Sequence, residues 1–364
     1  MQTPHQPAVG ETADSRPRLS ILDTTPVTPG MSGYDAVEQT VAVAMAADEL
    51  GYHRLWVTEH HASEKIASSA PAVLIACIAA RTRHLRVGAG GVMLTNHQPF
   101  VTAEQFGTLE ALYPGRIDLG VGGSAGAPDT ATVYQQALGR TARSGSNYPQ
   151  YIDDLLGFVS AAFPAGHPYA GVRVSPRVGP VPVFLLGSSE RGAMLAAERG
   201  LPFAVAHHLG LAAPGPLLEL YRARFRPSAT CAEPYTIVSV GALCTATDDE
   251  AEDIAFDLGL TEVRRRTGAG GTAAPRSAAQ SPDAPATLHE RGLVRNVLIR
   301  STYVAGSPTT VADGLDRLAA LTGADEMMLV PFDHDGAGRV RTVRLIAGAY
   351  RRTMPRTPAA GASR

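Results

Sequence analysis

Two histidine pairs carry the clearest chemical potential in this chain. Glu59-His60-His61 follows the apolar run Leu55-Trp56-Val57, and His207-His208 follows Phe203-Ala204-Val205-Ala206. An imidazole titrates near neutrality, so a histidine at a pocket rim can move a proton. It can also ligate a metal, or simply be a hydrogen-bonded polar residue. A metal is the weakest of these readings. Adjacent strand residues point to opposite faces, so His60 and His61 do not share an ion easily. The chain has no HExxH helix, and its histidines and cysteines show no zinc spacing. One histidine would be read as a polar rim residue, but two pairs at two strand ends favour a functional pocket.

The second candidate is the run Leu185-Leu186-Gly187-Ser188-Ser189-Glu190. A strand ends, Gly187 turns, and two serines lead into a helix. Free N–H groups and two hydroxyls at a helix start suit a phosphate. An ordinary N-cap serine accounts for the same residues, so both readings stand. The glycine-rich stretch at 120–129 is followed too soon by Pro128 and Asp129 to be a dinucleotide-binding turn. Lys65, six residues after Glu59, is the sole lysine of the sequence.

These residues need elements to hold them. Apolar runs at 19–23, 54–59, 85–94, 116–123, 181–189, 202–209, 235–246 and 326–332 read as strands. Between them lie helical patterns at 35–51, 70–82, 100–112, 148–163, 190–200 and 215–225, with one more from Thr247, one from Ser307-Pro308 and one at 339–351. Thr247 with Glu250 is a capping box, and Ser307-Pro308 is an N-cap followed by proline at the first helical position. Eight strands alternating with helices favour a single (β/α)8 TIM barrel over an open doubly wound sheet. The strands are near-continuous apolar runs, as expected of parallel strands covered on both faces. The barrel is expected to span 18–354, with tails at 1–17 and 355–364 and a long inserted loop near 264–292. In such barrels the site lies at the C-terminal strand ends. That places Asp23, Glu59, His60, His61, Gly90, Gly91, Gly123, Gly187, Ser188, Ser189, His207 and His208 at the mouth.

The composition narrows the class further. With 32 basic and 34 acidic residues in 364, and no basic stripe, nucleic acid is not an expected partner. No apolar run is long enough to span a membrane, and the N-terminus lacks a signal pattern, so a cytoplasmic protein is expected. The three cysteines form no CxxC pair, and Cys77 reads as a small buried hydrophobe.

Taken in order, Glu59-His60-His61, Gly88-Ala89-Gly90-Gly91-Val92-Met93-Leu94 and Pro114-Gly115-Arg116-Ile117-Asp118-Leu119-Gly120 resemble the bacterial-luciferase-like flavin-dependent monooxygenases. The resemblance continues through 184–208 and 305–329. It implies a TIM barrel using reduced FMN from a separate flavin reductase, with O2 forming a C4a-peroxyflavin that oxidises an organic molecule, in specialised metabolism. By the same resemblance His60 is the catalytic base, and Gly90-Gly91 is a cis peptide beside the flavin. Gly187, Ser188 and Ser189 match the phosphate turn. Asp23, Glu59, His61, His207 and His208 are then candidates to line the substrate pocket, with no metal. A homodimer through helices near the second and third strands is compatible with it. One departure stands out: where the family carries a phosphate-binding arginine, this chain has Gly123. Arg191 and Lys65 are the candidate replacements. A deazaflavin-dependent hydride transfer, or a barrel that has lost flavin use, are the alternatives that this departure and the wider superfamily leave open.

Overall fold

The computed structural model describes residues 16–28, 30–123, 131–139, 147–266, 285–300 and 302–352. In chain order these form β1 (Arg18–Asp23), α1 (Gly33–Glu49), β2 (Arg54–Val57), α2 (Pro71–Arg81), β3 (Arg86–Met93), α3 (Pro99–Leu112) and β4 (Ile117–Gly122). There follow α4 (Ala131–Ala137), α5 (Tyr148–Ser160), β5 (Val183–Gly187), α6 (Glu190–Glu198), β6 (Phe203–Val205) and α7 (Pro214–Arg224). The last part holds β7 (Thr236–Cys244), α8 (Asp248–Arg266), α9 (Leu288–Arg300), β8 (Tyr303–Gly306), α10 (Pro308–Thr322), β9 (Glu326–Pro331) and α11 (Gly336–Arg352).

Eight strands close into a parallel barrel in the order β1 to β7, then β9, which returns to β1. This is the (β/α)8 barrel expected from the sequence. The ninth strand, β8, is an addition that the apolar pattern does not reveal. It is four residues long and runs almost directly into α10. It pairs with Gly241–Cys244 of β7, above the point where β6 pairs with Thr236–Val238 of the same strand.

The expected loop at 264–292 is shorter than the sequence suggests. Helix α8 continues to Arg266, and α9 starts at Leu288; the intervening 267–284 lie outside the described residues, as do nearly all of the two tails. Arg16, assigned to the N-terminal tail, is instead anchored. It pairs with Asp316 of α10 and lies over the ring of Tyr350.

Outward-facing strand residues such as Ile21, Leu55, Val87 and Leu119 pack with the helices into the main core. The inward residues Leu22, Trp56, Phe184, Ala204, Ile237 and Met328 form a separate cluster that fills the bore. Trp56 is the bulkiest of these, and glycines make room for it. A Cβ on Gly88 would lie 2.8 Å from the indole, and one on Gly90 would lie 3.0 Å from the Trp56 Cβ and 2.5 Å from Leu22.

Below this cluster the bore is closed by ions. Arg54 donates to Asp118 Oδ2 (2.7 Å) and to Glu326 Oε1 (2.9 Å). The indole N–H of Trp56 donates to the same Asp118 oxygen (3.1 Å), and Tyr235 Oη donates to Glu326 Oε2 (2.7 Å). Arg86 reaches the other oxygen of Asp118. The Arg54 guanidinium also faces the Phe184 ring, 4.9 Å from its centroid. Both carboxylates are fully buried, so each depends on these partners for what water would otherwise supply. Asp118→Ala would leave Arg54 buried with half its counter-charge. It is expected to lower the free energy of unfolding by roughly 3–5 kcal/mol, read by urea denaturation; a loss below about 1 kcal/mol would show that the network contributes little.

Candidate active site

Strand β2 delivers three groups to the mouth. Glu59 is the hub: its Oε1 accepts from His61 Nε2 (2.6 Å) and His97 Nε2 (2.7 Å), and its Oε2 accepts from the Met93 N–H (2.9 Å). Burial alone would raise its pKa, but the bonds from His97, His61 and Met93 outweigh this and hold the carboxyl below its ordinary value. The donor atoms of Glu59, His61 and His97 lie within 4.8 Å of one another, close enough in principle to hold an ion. Two imidazoles sharing one carboxylate oxygen at hydrogen-bond distance account for the same geometry. The sequence reading did not single out His97; a histidine three residues beyond the strand-end Leu94 was the available signal.

His60 points the other way. It is exposed at the mouth and lines a cleft of about 890 Å3 together with Lys65, Ser69 and Tyr134. Its Nδ1 lies 3.0 Å from Thr58 Oγ1, and its backbone N–H donates to Ser68 O (2.8 Å). Surrounding protein atoms lower its pKa, opposed by Glu59 and assisted by His61. A histidine so placed is neutral at pH 7 and can accept a proton.

The second pair sits in a short 3-10 turn, His207–Leu209, just after β6 rather than in an extended strand. His208 Nδ1 lies 2.6 Å from Ser239 Oγ inside the bore. Burial, with help from His207 and His60, pushes its pKa down to about 4. The backbone carbonyl of His207 accepts from Thr302 Oγ1.

On the far side of the mouth, Gly122 of β4 pairs with Leu186 of β5, so Gly123 and Gly187 stand side by side. Ser189 caps α6 by accepting from the Gly192 N–H (3.3 Å), while Ser188 lies half-buried beside it. Above Gly123 stands Tyr148, the first residue of α5. A Cβ on Gly123 would meet its ring at 2.9–3.1 Å. The Tyr148 hydroxyl is buried without a hydrogen-bond partner among the described residues, and burial pushes its pKa up, so it stays protonated. An unsatisfied buried donor is costly unless a ligand completes it. Sequence reasoning missed Tyr148 because 25 positions separate it from Gly123.

The remaining expectations find definite places. The Gly90–Gly91 peptide is cis. Asp23 faces the helices rather than the mouth. It is buried, accepts from Thr25 N and Thr40 Oγ1, and pairs with Arg339 of α11 (3.3 Å). Lys65 pairs with Glu262 of α8 at 3.0 Å, so its charge is engaged on that side of the mouth.

The sequence comparisons bear on the same geometry. A sequence model described as "Luciferase-like monooxygenase" matches residues 18–326. The chain belongs to the luciferase-like monooxygenase family. A family relative named luciferase-like monooxygenase, from Escherichia coli (strain K12), is 40% identical over 321 residues, covering 87% of this chain and 92% of the relative. The crystal structure of apo-MsnO8 is 34% identical with a TM-score of 0.78, covering 93% of this chain and all of that one. A more distant structure, 20% identical with a TM-score of 0.67 and covering 92% and 97%, shares the fold. It is the oxygenating constituent of 3,6-diketocamphane monooxygenase from the CAM plasmid of Pseudomonas putida, in complex with FMN. As a luciferase-like monooxygenase the chain is an oxidoreductase. No helix among its described residues is long and apolar enough to cross a membrane.

Two outcomes follow from the charges at the mouth. The Lys65–Glu262 pair is partly exposed, so Lys65→Ala is expected to change unfolding free energy by no more than about 1 kcal/mol in urea. His208 is depressed from 6.5 to about 4, so between these values the unfolded chain binds a proton that the folded chain refuses. Stability from this residue is complete above pH 6.5 and falls away as pH drops toward 4. His208→Gln is expected to flatten that fall, read by urea unfolding near pH 7 and near pH 5.

Proposed function

We propose that this protein is a two-component flavin monooxygenase. It takes reduced FMN from a separate flavin reductase and uses O2 to oxidise an organic small molecule of specialised metabolism. The observation that carries this reading is the division of the mouth. One side presents His60, a neutral proton acceptor; the other presents an uncharged set of donors with an incomplete hydrogen bond. The FMN bound to the diketocamphane enzyme supports the choice of flavin.

The residues fit such a group. The Tyr148 hydroxyl is a buried donor in want of an acceptor, and a phosphate oxygen is one. Ser188 and the free N–H groups at the start of α6 add donors on the neighbouring strand top. Among the described residues nothing lies within 4 Å of where a Gly122 Cβ would stand. Tyr148 thus takes the role for which an arginine was expected at Gly123, by a neutral hydrogen bond instead of an ion pair.

When bound, reduced FMN supplies the two electrons with which O2 is split between product and water. The balance is substrate plus O2 plus reduced FMN giving oxygenated substrate, water and FMN. The protein's own part is to orient, to exclude water and to move protons. His60, which lines the cleft, is the exchangeable proton site. Glu59 orients His61 and His97 and fixes the backbone of β3 at Met93.

Anaerobic titration with reduced FMN tests the reading, with saturable binding expected and its absence overturning it. Tyr148→Phe is expected to weaken that binding about tenfold or more, the worth of a hydrogen bond to a charged group. Gly123→Arg is not expected to tighten it, because the new side chain would have to displace the Tyr148 ring. His60→Ala is expected to cut flavin-dependent oxygenation while leaving reduced FMN affinity within a few-fold of wild type.

A further inference from the structure

Beneath α8 lies a cavity of about 280 Å3, distinct from the cleft in front of His60. Its walls are Val330 and Phe332 beside β7, Tyr303 of β8 and Leu258 of α8. Phe332 and Tyr303 meet edge to face, with ring centroids 5.5 Å apart. Gly241 permits this: a Cβ there would fall 2.8 Å from Tyr303 Cβ and 3.4 Å from the Phe332 ring. Glu262 lies at its edge, 3.0 Å from Lys65 on the rim of the other cleft, so the ion pair joins the borders of the two spaces.

Into this apolar space His208 presents one polar atom whose state can be deduced. Ser239 Oγ lies 2.6 Å from His208 Nδ1 and 3.1 Å from Val205 O. A hydroxyl has a single proton, and a backbone carbonyl only accepts. The assignment in which no two lone pairs face each other has Ser239 donating to Val205 and accepting from a protonated Nδ1. In the neutral ring Nε2 is then a bare acceptor, and it has no partner among the described residues.

We propose that this cavity receives the apolar part of the substrate and that His208 Nε2 selects molecules bearing a hydroxyl, a phenol or alcohol, over the corresponding ether or hydrocarbon. The inference rests on the oxygenase reading for the word substrate, but its chemistry stands on the cavity alone. A hydroxyl completes the acceptor, whereas an ether buries two lone pairs against each other, and sites built around a hydroxyl discriminate strongly for that reason. His208 is on this account a specificity residue and not the proton carrier.

Isothermal titration of the full chain without flavin, using 2-naphthol and 2-methoxynaphthalene as probes, decides the matter. Saturable binding of 2-naphthol is expected, at least about tenfold tighter than its methyl ether. His208→Phe should abolish that preference by weakening 2-naphthol alone, and Ser239→Ala, which releases the ring tautomer, should reduce it. Equal affinities in the wild-type chain, no binding of either probe, or a preference surviving in folded His208→Phe would overturn the proposal. The wild-type probe comparison stands even if a variant fails to fold. Because reduced FMN binding is measured separately, its failure alongside a hydroxyl preference would remove the oxygenase reading and leave this ligand chemistry intact.

Discussion

Arg54 stands at the foot of the bore with a carboxylate from β4 on one side and a carboxylate from β9 on the other. Neither acid has access to water, and the guanidinium is nearly as enclosed. Charges in that position are tolerable only where their geometry is met, because little else compensates for lost hydration. Strands β2, β4 and β9 are therefore fixed in height relative to one another at their lower ends. Since each strand leaves the floor at a fixed level, each reaches the mouth at a fixed level too. The separation between the histidines above β2 and the hydroxyls above β4 and β5 is set by an ion network at the opposite end of the barrel.

The same bore explains how a glycine-rich sequence can mislead. Glycines at a strand end suggest backbone left bare for a ligand. Here Gly88 and Gly90 answer to close packing in the bore: a Cβ on Gly88 would meet Asp118 and then the Trp56 indole, and one on Gly90 would meet Leu22 and then Trp56. Trp56 in turn donates to Asp118, so packing and the ionic floor are one arrangement. Gly122 differs, because no described residue lies within 4 Å of where its side chain would be. Glycines with the same sequence signal thus do different work, which only the position of neighbouring side chains reveals.

The barrel was legible because its strands are buried on both faces, which leaves an apolar run that periodicity detects directly. The candidate residues could be assigned to strand tops for the same reason, since topology gives that end to chemistry. What escaped was whatever depends on distance across the fold. His97 joins Glu59 and His61 from the turn after β3, and Tyr148 covers Gly123 from a helix beyond the intervening segment. Asp23 lies at a strand end yet looks outward to Arg339, because side chains alternate and a one-residue difference decides which face they serve. Tyr303–Gly306 was hidden because four residues are too few to show a period.

That short strand shapes the mouth. Strand β7 runs nine residues where its neighbour β6 runs three, and β8 backs its upper half. One side of the barrel accordingly rises higher than the other, and the apolar cavity lies against the high side. Gly241, Tyr303 and Val330 give it one wall of hydrogen-bonded sheet, so that part of the shape exists before anything enters it. A molecule docking there does not have to immobilise that wall, and the ordering cost that usually erodes affinity is reduced in advance. The rigid sheet on this side of the mouth then holds the shape against which the proposed His208 acceptor makes its choice.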